Sequence, residues 1–298
     1  MKMKKLFLLS GLVLLLLSCK VKGVKNESEQ KLKDQPERIE ALVGVKDSAY
    51  RNEKLLTNSK ELDKQIFDNG IEIKWFERGK GDLLKDQHVY KIDYEVLLED
   101  GSVVDGSKLI NRQWVHFLLG FQIQTKGWDF ALRKLRIGDF AEILIPSELA
   151  RGKLGIEGLI PPDAKNILKI RVLGELEPER ETDGTKIWIL AESKKYEEEK
   201  ATEDSEIVYD YVISTPSNPR YVDSRFKGAP YVFKFSDFGI VKGLKKALLG
   251  VKKADKLWVV VPASEAYGSK GLLDVVKPDE PVFYDLFIRD VYPATDKK

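Results

Sequence analysis

The chain has 298 residues, room for two ordinary domains and a tether, and length alone implies no more. With 43% hydrophobic and 33% charged residues it has the composition of a soluble globular protein, not of a disordered or membrane-spanning one. The formal charge is +2, and −1 without the N-terminal Lys2, Lys4 and Lys5, so the basic footprint of a nucleic-acid binder is missing.

In chain order, residues 1–18 read as a signal peptide. Three lysines are followed by an apolar run from Leu6 to Leu17, too short for the roughly 20 residues that span a bilayer. The run ends in Leu16-Leu17-Ser18-Cys19, which resembles the bacterial lipobox, so Cys19 is expected to carry an acyl chain such as palmitate and to tie the protein to a lipid bilayer. Cys19 is the single cysteine, which excludes a disulfide framework and any Cys-based metal site or nucleophile. The two histidines, His88 and His116, have no ligand spacing between them, so neither a triad nor a zinc site is expected: no metal and no cofactor.

Residues 19–68 are polar and charged and read as a tether. Leu55, Leu56, Leu62 and Ile66 have some helical spacing, enough for a short helix, although a solvated spacer is the simpler reading.

Beyond the tether the chain repeats itself. Ile92-Asp93-Tyr94 answers to Tyr209-Asp210-Tyr211, Val103-Val104-Asp105 to Tyr221-Val222-Asp223, Lys126-Gly127-Trp128 to Lys242-Gly243-Leu244, and Ala150-Arg151-Gly152 to Ala266-Tyr267-Gly268. The offset stays at about 117 residues throughout, the mark of a duplicated domain. The copies span 69–177 and 184–293, the acidic stretch 178–183 between them reads as a linker, and 294–298 form a tail. Strand patterns recur in both, as in Lys256–Val261 and Val282–Ile288. One amphipathic helix per copy is expected from Trp128, Ala131, Leu132 and Leu135, and from Leu244, Ala247, Leu248 and Val251. Many strands with one short helix predict an α+β domain.

The run LEDGSVVDGS (98–107), then FLLG (117–120), KGW (126–128) and LIPP (159–162), is similar in order and spacing to the FKBP family. The second copy adds YVDSR (221–225), IVKGL (240–244) and VPASEAYG (261–268). No element is specific alone; the ordered set, met twice, is. The resemblance implies two tandem domains, each a twisted antiparallel sheet of about five strands wrapped around one short helix, with an apolar pocket that takes a proline ring. It implies peptidyl-prolyl cis/trans isomerase activity on proline-containing client polypeptides, and with the lipobox a lipid-anchored protein-folding factor or chaperone of the bacterial envelope, facing the periplasm. The alternative is a non-catalytic module that grips apolar client segments.

Carried over residue by residue, the resemblance assigns catalysis in the second copy to Asp223, Tyr267 and Tyr211, and substrate contacts to Val222, Tyr231, Ile240, Val241, Leu244, Val275, Val276 and Tyr284. Val222 stands in place of a Phe, and Leu244 in place of a Trp at the pocket floor. The first copy keeps Tyr94, Asp105, Trp128, Leu159 and Ile160 as a second site. It departs at Gln124 and Thr125, which replace the apolar pair, at Val115 and Leu168, which replace aromatics, and at Arg151, which replaces the carbonyl-binding Tyr. The second copy is therefore expected to carry most of the activity.

Overall fold

The computed structural model describes residues 60–292 except 197–198. Cys19, the signal segment, most of the tether and the tail lie outside them. Among the described residues no helix is long and apolar enough to cross a membrane.

The first domain contains β1 (Asp63–Ile66), β2 (Glu72–Glu77), β3 (Val89–Leu97), β4 (Val103–Gly106), β5 (Val115–Leu118), helix α1 (Lys126–Leu132), β6 (Phe140–Ile145) and β7 (Asn166–Leu176). The second repeats the order with β8 (Arg180–Thr182), β9 (Thr185–Ala191), β10 (Glu206–Ser214), β11 (Val222–Asp223), a one-turn helix α2 (Ser224–Lys227), β12 (Tyr231–Lys234), α3 (Lys242–Leu248), β13 (Lys256–Val261) and β14 (Val282–Tyr292). The sheets run β1-β2-β6-β7-β3-β4 with β5 on β3, and β8-β9-β13-β14-β10-β11 with β12 on β10. Every pairing is antiparallel and the two topologies are identical. The α+β architecture expected from the sequence is present, with seven strands per sheet instead of about five.

The extra strands correct two boundaries. Residues 63–66, read as tether, form β1 and pair with β2. Leu62 and Ile66 are 61% and 65% exposed, so their helical spacing buries nothing. The strand is a polar edge held by backbone pairing and by ion pairs such as Lys64–Glu72 at 2.8 Å. Likewise β8 lies inside the stretch read as linker. Arg180 places its guanidinium on the carbonyls of Leu249 and Ala247, at 2.8 and 2.9 Å, at the C-terminal end of α3. The acidic segment thus belongs to the second domain, and the connection shortens to the residues between Leu176 and Arg180.

Each helix lies against its sheet with a glycine at the point of closest approach. A Cβ on Gly127 would stand 2.3 Å from Ile145 Cγ2, and one on Gly243 2.5 Å from both Thr185 Oγ1 and Val261 Cγ1. The Lys-Gly pair of both repeats therefore sets how deep the helix start descends. Each helix ends before its last apolar residue, yet Leu135 and Val251 are buried in the turn that follows.

A third apolar cluster joins the domains: Val89, Leu118 and Phe121 of the first against Trp188, Trp258, Val260 and Phe283 of the second. It explains the unbroken run of β13. Leu257, Val259 and Val261 face the second domain's own core, while Trp258 and Val260 face the first domain. Gln122 Nε2 also donates to the Pro216 carbonyl across the junction, at 2.7 Å.

Candidate functional site

In the second domain an open cavity of about 120 Å³ lies between α3, the inner face of β10 and the loops before α3 and after β13. That is below the roughly 300–1,000 Å³ of drug-sized sites and suits a single ring. Its lining is Tyr209, Tyr211, Ile213, Tyr231, Gly239, Ile240, Val241, Leu244, Tyr267 and Tyr284. The structure thus brings together Tyr211, Tyr231, Ile240, Val241, Leu244, Tyr267 and Tyr284 of the residues singled out in the sequence. Tyr209 and Ile213 were missed, although they share a strand face with Tyr211 and the alternation of β10 could have found them.

The walls are aromatic. Tyr209, Tyr211 and Tyr231 form a triangle with ring centroids 5.7 to 6.4 Å apart. Leu244, 4% exposed, is the apolar floor. The loop carrying Gly239 and Ile240 is tied to α3 by Lys245, whose ammonium donates to the carbonyls of Phe235 and Asp237 at 2.8 and 2.7 Å.

The polar contribution is small and oriented. Burial drives the Tyr284 hydroxyl far above its ordinary pKa, and a bond to Tyr267 raises it further. Burial also raises Tyr267, which the same bond lowers. The Tyr267 and Tyr284 hydroxyls are thus coupled polar groups in the cavity wall.

Val222, Asp223, Val275 and Val276 do not line the cavity. Val276 is fully buried in the core, and Val275 packs against it. Asp223 ends β11 and caps α2, accepting from Arg225 N at 3.0 Å, and its carboxylate lies 3.1 Å from Arg220 and 3.4 Å from Arg225.

The first domain's site differs. Tyr94 donates to Asp105 at 3.0 Å and packs edge-on against Trp128 at 5.2 Å, and Trp128 stacks on Phe117 at 5.6 Å. Tyr94, Asp105 and Trp128 thus come together. Leu159 is 47% exposed, and Ile160 is in the core.

Two segments, 81–173 and 197–289, match the family FKBP-type peptidyl-prolyl cis-trans isomerase. The chain belongs to that family. Among FKBP relatives, peptidyl-prolyl cis-trans isomerase FKBP10 of Homo sapiens is 25% identical over 204 residues, which cover 68% of this chain and 34% of that protein. The probable FKBP-type 25 kDa peptidyl-prolyl cis-trans isomerase of Pseudomonas aeruginosa is 32% identical over 153 residues, 47% of this chain and 63% of that protein. The crystal structure of FkpA from Escherichia coli shares 29% identity with a TM-score of 0.36, covering 39% of this chain and 53% of that one. The chain thus spans about a third of FKBP10 and less than two thirds of the Pseudomonas FKBP.

Proposed function

We propose that this FKBP-family chain catalyses cis/trans isomerisation of Xaa-Pro bonds in client polypeptides, chiefly in the second domain. The observation that carries the reading is the tyrosine-walled cavity over Leu244, with Tyr267 among its lining residues. The barrier of roughly 18–20 kcal/mol comes from amide resonance lost as the bond twists. The twisted amide is less charge-separated than the planar one, so a water-poor aromatic cavity favours it. The ring rests on Leu244 between Tyr211, Tyr231 and Tyr284, and Tyr267 donates to a peptide carbonyl, an oriented dipole that needs no reorganisation. Asp223 is a positioning residue in this scheme. Its ion pairs with Arg220 and Arg225 hold the β11–α2 rim, beside Tyr211, whose N–H donates to Ser224 Oγ at 2.8 Å.

The signal segment and Cys19 support a lipid-anchored protein of the bacterial envelope that meets clients as they fold. A protease-coupled assay with an Xaa-Pro peptide on the intact chain tests the activity. Catalysis lowered by Tyr211→Ala and by Tyr231→Ala with folding retained supports the assignment to the second cavity. A folded wild-type chain with no catalysis would leave a gripping, non-catalytic module, the reading that the departures at Arg151 and Gln124 favour for the first domain.

A further inference from the structure

The first domain presents the same backbone frame as the second but lines it with different chemistry. Arg151 and Tyr267 hold corresponding places: each leads into a single 3-10 turn, Gly152–Leu154 or Gly268–Lys270, with φ, ψ of −101°, −4° and −107°, −1°. Thr125 and Val241 correspond as the residues that start α1 and α3, and Gln124 and Ile240 precede them. Where the second cavity offers a phenol and two aliphatic side chains, the first offers a guanidinium, an amide and a hydroxyl.

These groups are not satisfied among themselves. Arg151 Nη2 donates to Gln124 Oε1 at 3.1 Å, a neutral partner, and among the described residues no carboxylate pairs with it. Burial lowers the guanidinium's pKa, the Arg220 charge from the second domain lowers it further, and Asp105 opposes both. The Asp105 carboxylate is already engaged, accepting from the Tyr94 hydroxyl at 3.0 Å and the Gly106 N–H at 2.8 Å. Thr125 is 8% exposed, its hydroxyl has no hydrogen-bond partner, and it does not cap α1 although it stands at the capping position. A threonine there ordinarily accepts from the helix's first N–H groups. A half-buried cation whose hydrogen-bond partner is neutral and a buried hydroxyl without a partner, at neighbouring places in one frame, are the complement of an anionic, planar ligand.

We propose that this site binds a carboxylate of a client polypeptide, either an acidic side chain or the chain's C-terminus. The Arg151 fork donates to the two oxygens, and the Thr125 hydroxyl donates once the ligand opens the site. The Tyr that would otherwise stand at Arg151 donates one hydrogen bond to a neutral carbonyl; the guanidinium exchanges that for charge recognition. The proposal concerns the other domain and stands whether or not the second domain isomerises proline.

The test is fluorescence anisotropy on the intact chain with three proline-free dansyl pentapeptides, which leave the second cavity unengaged. One carries a central Glu with an amidated C-terminus, one has Gln in its place, and one is the Gln peptide with a free C-terminal carboxylate. At least one carboxylate peptide is expected to bind about tenfold more tightly than the neutral one, and which one tells side chain from chain end. Arg151→Tyr, which installs the residue of the second repeat, should abolish that preference, and Thr125→Val should reduce it about threefold. Arg151→Lys keeps the charge without the fork and should retain only part of it, which keeps the test decisive if Arg151→Tyr fails to fold. Equal binding of all three peptides, or a preference undiminished in folded Arg151 variants, overturns the proposal.

Discussion

Replacing Tyr267 by Phe tests the polar half of the proposed mechanism, and the structure makes it more than a single deletion. The hydroxyl that is removed is the proposed donor to the substrate and also the polar partner of the Tyr284 hydroxyl. The first loss lowers catalysis by the worth of one hydrogen bond, about 0.5–1.5 kcal/mol, or roughly two- to tenfold in kcat/KM. The second strands the Tyr284 hydroxyl in a residue only 3% exposed, a cost of about 1–3 kcal/mol to folding. Tyr284→Phe removes that stranded group at its source and leaves the Tyr267 proton in place. The double variant Tyr267→Phe/Tyr284→Phe should therefore recover much of the lost stability while its rate stays low. Protease-coupled kinetics and urea unfolding on the same four proteins complete the cycle. Should the double variant regain the wild-type rate, or Tyr267→Phe keep it while folded, the hydroxyl is no carbonyl donor and the cavity acts by exclusion of water alone.

Other expectations follow from packing and charge. Leu244→Ala leaves a void beneath the cavity and should lower stability by about 2–5 kcal/mol in denaturant unfolding, with weaker peptide binding. His116, at the junction beside Trp258 with ring centroids 6.0 Å apart, is lowered to a pKa of about 4 by burial and then by Lys256, Arg112 and Lys91. The unfolded chain takes up this proton near 6.5 and the folded one only near 4, so stability is full above pH 6.5 and falls as pH drops through that window. His116→Phe should flatten that part of a Tm-against-pH curve. Cys19→Ala should abolish fatty-acid labelling and release the protein from membranes; unchanged labelling would refute the lipobox reading.

What was legible in the sequence followed from repetition and period. The helices, the strands and most of the cavity announced themselves because Leu244, Tyr211 and Tyr267 recur in register with Trp128, Tyr94 and Arg151. The short edge strands did not, because β1 and β8 bury almost nothing and an edge held by backbone bonds leaves no apolar pattern. The resemblance assigns Asp223 to catalysis by position alone; what that cannot tell is that Arg220 and Arg225, three and two residues away, both pair with its carboxylate. The second-domain run of Leu257 to Val261 reads as one buried strand, but nothing in it tells that the outer face is covered by Leu118 and Phe121 from the other copy.

That junction gives chain order a kinetic meaning. Synthesis delivers the first domain before β9, β13 and β14 exist, so Val89, Leu118 and Phe121 wait in water until the second domain closes over them. Until then the half-made chain presents an apolar face of the kind that binds to itself or to other nascent chains. A cut between Leu176 and Arg180 would make that exposure permanent on both halves, and each fragment would be expected to associate or aggregate where the intact chain does not.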